Sequence, residues 1–305
     1  MKKSSSFFIS CLIAFSPFSS TALAANQKSP APSASPPSVG LFSLPFSQQP
    51  GPFLSFGQNI IEKNKLQIYL SPTYLKLDDQ YYFAFTPSLL YGLTDSASFY
   101  LYTPWAIDYR APDHNNDIHH SSGASDTSLQ FEYAFYQGSD STKTEFASFV
   151  TAVTLPSGTF NKFPSTGFGS PSYFWGVTFN QTFIDWLWFV SPGLFKFTPY
   201  NNVHLGSQYL YQLGIGHNIF SVKNQYIFSG LLELNGQYTE KNKIFGQANP
   251  NSGGNLVFIV PSLWFSTEKL IAQLGISLPI SQHFYGEQAK VKYNIVASLG
   301  WTFSV

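Results

Sequence analysis

Apolar and polar side chains alternate with a period of two along most of this chain, and that rhythm leaves few folds open. At the C-terminal end Tyr293, Ile295, Ala297, Leu299, Trp301, Phe303 and Val305 alternate with Asn294, Val296, Ser298, Gly300, Thr302 and Ser304. Leu270, Ala272, Leu274, Ile276, Leu278 and Ile280 do the same against Lys269, Ile271, Gln273, Gly275, Ser277 and Pro279. Thr127, Leu129, Phe131, Tyr133 and Phe135 alternate with Ser128, Gln130, Glu132, Ala134 and Tyr136. A helix would scatter each set around its circumference, whereas a strand gathers each set on one face. Runs of this kind predict strands near 65–77, 81–93, 97–109, 126–137, 144–156, 171–183, 186–198, 205–217, 222–236, 254–266, 269–280 and 290–305. That is about twelve, and the even number suits a closed bacterial barrel.

The connections support closure. Gly92 to Ser96, Phe183 to Asp185, Asn218 to Ser221 and Ser266 to Glu268 are short, whereas Arg110 to Ser125, Ser157 to Ser170 and Gln237 to Gly253 are long and polar. Short and long connections largely alternate, with both termini on the short side; Asp78 to Gln80 is a short connection on the outer side. Short periplasmic turns and long outer loops are the habit of outer-membrane barrels. Pro72, Pro87, Pro104, Pro192, Pro261 and Pro279 fall inside the runs, where each must remove a ladder hydrogen bond.

Composition decides what surrounds the strands. Of the 305 residues 44% are hydrophobic, 18% aromatic and only 10% charged, against about 25% charged in an ordinary soluble domain. So much apolar area excludes disorder. Mean hydropathy is −0.04, and no segment beyond the N-terminus offers the roughly 20 apolar residues of a spanning helix. A closed barrel in lipid accommodates this composition, because its apolar residues are interleaved with polar ones. The expected fold is therefore all-β, a transmembrane antiparallel up-and-down barrel of outer-membrane type.

The N-terminus carries its own expectations. Lys2 and Lys3, the apolar run Phe7 to Phe15 and Ala22-Leu23-Ala24 read as a signal peptide over 1–24 with an A-x-A cleavage site. The only cysteine, Cys11, lies within it, so the mature chain has no disulfide to form. Loss of Lys2 and Lys3 from a balance of 16 basic and 16 acidic residues leaves the mature chain slightly acidic, without the basic patch that nucleic-acid binding requires. Residues 25–63 begin with the Pro/Ser-rich stretch Ser29 to Val39, read as a periplasmic linker. They continue with Phe42, Phe46, Phe53 and Phe56, which either lie on the barrel wall or enter the lumen as a plug. Residues 64–305 form the barrel. Its last strand, with Trp301 and Phe303 at alternate positions, is similar to the terminal signal read by the outer-membrane barrel insertion machinery, although the chain ends in Val305 where that signal ends in Phe.

Candidate functional residues come from parity. Glu132, Glu233 and Lys292 fall on inward faces, where a charge avoids the lipid penalty; bracing between strands is the structural role, selectivity the functional one. Trp188 and Tyr136 are expected to line the lumen beside them, since several strands carry large apolar side chains on both faces. Such a lumen is either a tightly filled interior or a passage for hydrophobic molecules. Asp113 to His120 holds three histidines, but with no Cys and no second histidine pair it reads as a solvated loop tip and not as a metal site. No Ser and His share a strand face in a recognisable nucleophile pattern, so no catalytic residue and no cofactor site is assigned.

Three stretches carry a resemblance. Leu89-Leu90-Tyr91-Gly92-Leu93-Thr94-Asp95, then Gly123 to Tyr133, then Val153-Thr154-Leu155-Pro156-Ser157-Gly158 followed by Gly167-Phe168-Gly169-Ser170, resemble the family named for the MetA pathway of phenol degradation. That family is similar in turn to FadL-type transporters of hydrophobic compounds. Glu132 departs from its pattern, where lysine is more usual. The resemblance implies a bacterial outer-membrane barrel that passes small hydrophobic or aromatic compounds, and it transfers no catalytic residue. The alternatives are a structural or adhesin-like surface barrel and, third, a membrane-embedded hydrolase.

Overall fold

The computed structural model describes residues 35–113 and 115–305; the expected signal peptide, residues 25–34 and His114 lie outside them. Twelve antiparallel strands form one closed sheet. They are β1 (Lys65–Leu77), β2 (Tyr81–Thr94), β3 in two pieces (Ala97–Tyr102 and Trp105–Pro112), β4 in two pieces (Ile118–Ala124 and Thr127–Ser139), β5 (Lys143–Leu155) and β6 (Ser172–Phe183). The circuit continues through β7 (Trp186–Phe197), β8 (Gln208–Val222), β9 (Tyr226–Thr239), β10 (Gly254–Thr267), β11 (Leu270–Phe284) and β12 (Val291–Ser304). Each strand pairs with its neighbours in sequence, and β1 pairs with both β2 and β12, which closes the barrel. No described helix is long and apolar enough to cross a membrane.

Alternation becomes inside and outside. Along β8 Tyr209, Tyr211, Leu213 and Ile215 are exposed while Gln208, Gln212, Gly214 and Gly216 are buried. Along β4 Ser128, Gln130, Glu132 and Ala134 are buried while Tyr133 and Phe135 are exposed. The exposed set continues around the wall through Ile68, Leu101, Val177, Leu232, Leu263, Leu274 and Leu299. An apolar band of that extent is far beyond what a monomer shows to water, and it suits acyl chains. Exposed Trp105, Tyr209 and Tyr238 stand toward the outer end, and Trp186, Phe220, Trp301 and Phe303 toward the turn end, as interfacial girdles do.

The strand prolines fall where a ladder is already interrupted. Pro72 pairs across to β2, but the β1–β12 register skips from Leu70 to Thr73. Pro192 pairs to β8 while the β6–β7 register skips Ser191 and Pro192. Pro261 pairs to β9 while the β10–β11 register skips from Ile259 to Ser262. Pro104 occupies the break in β3. Each of these four prolines thus sits where the ladder on one side is broken, the place where a missing N–H does least harm.

The outer end departs from the expected loops. Most of Arg110 to Ser125 is folded, with Trp105–Pro112 and Ile118–Ala124 pairing as a hairpin that extends the wall. β9 runs on to Thr239, and Val203–His204, Lys243–Ile244 and Gln247–Ala248 make a small separate sheet. At the other end β8 extends to Val222, so the turn falls at Lys223 to Gln225 instead of at Asn218.

Two bulges overturn sequence parity. The β1–β12 register passes from Lys76 opposite Tyr293 to Leu77 opposite Val291, skipping Lys292. Val291 is therefore buried, and Lys292 points out to Asp78 Oδ1 at 2.6 Å, with 56% of its side chain exposed. Its ammonium holds the Asp78 carboxyl below the usual aspartate range. In β4 the register shifts between Ala134 and Tyr136, which turns Tyr136 outward, 46% exposed, with its hydroxyl donating to Glu145 Oε2 at 3.1 Å. Trp188 is a parity error of another kind: β7 has apolar residues on both faces, and the inward set is Leu187, Phe189 and Phe195. Trp188 faces outward, 37% exposed, its indole N–H donating to Gln181 Oε1 at 3.0 Å. Lys292, Tyr136 and Trp188 do not line the lumen.

Candidate functional site

The lumen contains the chain's own N-terminal segment. It enters at the short-turn end, where Leu41 N–H donates to Ile184 O at 2.6 Å and Asn224 N–H donates to Ser43 O at 2.9 Å. Two 3₁₀ turns follow, Gly40–Phe42 and Phe46–Gln48. Leu41 and Leu44 pack there with Leu187, Phe189, Ile227, Leu231, Trp264 and Ile271 of the wall. The Gln67 amide donates to Ser47 O at 2.7 Å, and Ser266 Oγ donates to Gln48 O at 2.7 Å.

Beyond Gln49 the segment cannot hydrogen-bond to itself. Pro50, Gly51, Pro52 and Gly57 deny it a regular ladder, and buried backbone N–H groups must find acceptors elsewhere. Two wall carboxylates supply them. Phe53 N–H donates to Glu233 Oε1 at 2.5 Å, Ser55 N–H and Ser55 Oγ donate to Glu233 Oε2 at 2.9 and 2.8 Å, and Leu54 N–H reaches Oε2 at 3.2 Å. Across the lumen Gln58 N–H donates to Glu132 Oε1 at 2.8 Å and Asn59 N–H to Glu132 Oε2 at 2.9 Å, with the Ser148 hydroxyl also on Oε1. Each carboxylate is 1% exposed, and the donors named here offset the cost of its burial. Glu132 and Glu233, the two inward acids of the sequence reading, thus converge on one segment from opposite walls.

Between the two clamps Phe56 is buried. Its N–H donates to Gln212 Oε1 at 3.0 Å, and its ring meets that of Phe174 edge-on at 4.7 Å. Below the ring lies a glycine pair, Gly176 opposite Gly193. A Cβ on Gly176 would stand 2.4 Å from the Phe56 ring and one on Gly193 2.8 Å from it, so the barrel wall is thinned where the aromatic seats. Gly57 adopts φ +87° with Thr178 against it, and a Cβ there would come within 2.7 Å of the threonine methyl. The chain then returns to the turn end through Ile61 N–H to Ser98 Oγ at 3.1 Å and Lys63 N–H to Asp95 Oδ1 at 2.9 Å, and runs into β1.

A cavity of about 300 Å³ remains between segment and wall. It is bounded by Phe53, Phe56 and Ile60 of the segment and by wall residues that include Tyr69, Tyr100, Tyr102, Gln130, Phe258 and Trp264. Toward the outer end the wall turns apolar, with Leu75, Leu77, Tyr82, Leu256, Phe258 and Val291 clustered and Leu54 of the segment packed on them. That volume and mixed lining suit a small organic molecule. The outer loop at Asp113 to His120 lies apart; His119 Nε2 stands 3.2 Å from Asp113 Oδ2. Among the described residues no group of three or more His, Cys, Asp or Glu is placed to hold a metal ion.

No family model and no curated protein matches the chain, so the likeness to the MetA-pathway family rests on the short motifs alone. Solved structures do match. A COG4313 outer membrane channel from Pseudomonas putida F1 superposes with a TM-score of 0.64 at 13% identity, covering 82% of this chain and 99% of that one. At that identity the likeness speaks for the fold. Two further structures match more loosely: the NanC porin, at a TM-score of 0.46 and 10% identity over 78% of this chain and all of that one, and the CymD monoaromatic hydrocarbon channel, at 0.37 and 12% over 80% and 89%. The fold is that of a closed outer-membrane-type β-barrel.

Proposed function

We propose that the chain is a passive channel of the bacterial outer membrane for small hydrophobic or aromatic compounds, with residues 40–62 as its internal gate. The observation that carries this reading is the luminal segment itself. It lies across the bore on hydrogen bonds and ring contacts, with a cavity of ligand size beside it and an apolar wall above it toward the outer end. Water can replace these bonds at a net cost of about 2 kcal/mol for each one to a carboxylate, and the wall is closed by its own ladder, so the segment can shift without unfolding the wall. In this reading residues 1–24 direct export, the insertion machinery assembles 64–305, and the channel uses no cofactor and no energy source.

Proteoliposome swelling tests it. Liposomes carrying the protein are expected to take up a hydroxylated aromatic such as resorcinol several-fold faster than protein-free liposomes do, and faster than a pentose. Equal rates for both solutes, or no increase over the protein-free control, would remove the channel reading.

A further inference from the structure

A charged row on the outer rim of the wall faces the lipid. Tyr293 of β12, Lys76 of β1, Tyr81 of β2, Arg110 of β3 and His120 of β4 are register partners in turn, so they stand at one level on five neighbouring strands. Their alternate neighbours Leu75, Leu77, Tyr82 and Ala111 are buried on the inner side, which puts the row on the outer face. Four residues back along β2 from Tyr81, Phe85 is opposite Trp105, which is 52% exposed. At about 3.3 Å per residue and a strand tilt of about 40°, the row lies about 10 Å beyond that tryptophan, past the acyl chains and among headgroups. We infer that this row holds the phosphates of an outer-leaflet lipid, a role that depends on the placement of the barrel in the outer membrane and not on what passes through its bore.

Two cations flank one ring. Lys76 Nζ is 6.0 Å and Arg110 Cζ 5.4 Å from the centre of Tyr81, and Tyr74 stacks on that ring at 5.9 Å and meets Tyr293 at 6.1 Å. The two carboxylates among these groups are both taken. Asp108 is held by Arg110 at 3.0 Å and by the Tyr81 hydroxyl at 2.6 Å, and Asp78 by Lys292 at 2.6 Å. Asp79, in the turn above, and Lys290, whose carbonyl accepts from the Asp78 N–H, cancel in charge. Lys76 is left without a carboxylate partner among the described residues. A lysine on a lipid-facing wall is costly without a counterion, and headgroup phosphates are the anions at its depth. Cations already seated against an aromatic ring meet a phosphate with little further loss of side-chain freedom. Below the row Leu70, Trp105, Ile107 and Ile295 are exposed on the same outer face and cover the acyl chains of the same lipid.

The test is native mass spectrometry of the full chain in nonionic micelles at pH 7.5, titrated with diphosphoryl lipid A and with the same lipid stripped of both phosphates. The diphosphoryl lipid should bind with saturation and at least about tenfold more tightly than the stripped one. Lys76→Gln should weaken it about fivefold, and Lys76→Gln with Arg110→Gln about 30-fold, as the loss of one and of two basic groups beside lipid phosphate requires. Binding of the stripped lipid should not change. Folding is checked by the heat-dependent gel shift of an intact barrel; Lys76 has no ion pair to lose, so the single variant decides if the pair does not fold. Equal affinity for the two lipids, or unchanged affinity in a folded variant, would overturn the assignment. Displacement of the lipid by excess inorganic phosphate would also overturn it, since the row would then be a site for free anions. The swelling assay does not read this face, so the channel reading can stand when this one falls.

Discussion

Deletion of residues 40–59 is expected to raise the ionic conductance of the protein in planar bilayers by about tenfold or more, because a barrel of this size without its luminal segment holds a water-filled bore. The wall should survive the deletion. Its closure rests on the continuous ladder from β1 through β12 and back, with β1 paired to both neighbours, and a closed sheet has no edge left to protect. The deletion does expose what the segment covered: Glu132 and Glu233 lose their backbone donors, and water takes their place. Loss of the heat-dependent gel shift would show that the segment is structural cement. An unchanged conductance in a folded barrel would show that something other than the segment closes the bore.

Replacing both clamps by glutamine, Glu132→Gln with Glu233→Gln, is expected to release the segment without removing it. At each clamp both carboxylate oxygens accept N–H groups of the segment: Gln58 on one and Asn59 on the other of Glu132, Phe53 on one and Ser55 on the other of Glu233. An amide has one oxygen. However it is turned, its NH₂ then faces a backbone N–H and leaves that donor orphaned, at a cost of about 2 kcal/mol per site. Each site shifts the equilibrium between lodged and released segment by roughly 30-fold, and the two, on opposite walls, should be close to additive. The readout is the open fraction in single-channel records, compared for each single variant and the pair. Unchanged open fractions in all three would mean that the carboxylates merely brace the wall.

How far the sequence disclosed this arrangement depends on the signal. Period two sufficed for the wall, because a one-residue slip would turn every apolar side chain inward, and it also pointed Glu132 and Glu233 into the lumen. It failed at Lys292 and Tyr136, where a bulge adds a residue and reverses parity. It failed at Trp188, where apolar residues on both faces leave the pattern without a phase. The hairpin Trp105–Pro112 with Ile118–Ala124 was hidden by its polar, histidine-bearing tip. The luminal segment was legible only as an alternative, since Pro and Gly announce irregular backbone without saying where it lies. Gly176 and Gly193 also sit mid-strand, where glycine weakens a sheet unless something must come close. What comes close is Phe56.

In the proposed channel the N-terminal segment must move for solute to pass, and a reversible tether shows whether it does. Ser55 Oγ and Asn235 Oδ1 are 2.7 Å apart, so Ser55→Cys with Asn235→Cys sets two thiols on facing elements, and free-thiol titration establishes that they have joined. The chain's only other cysteine is Cys11, inside the expected signal peptide. In the swelling assay the oxidised pair should lose resorcinol uptake and regain it on reduction with dithiothreitol. Uptake that is the same with the disulfide formed and broken would contradict the account, because solute would then be crossing with the segment fixed in place.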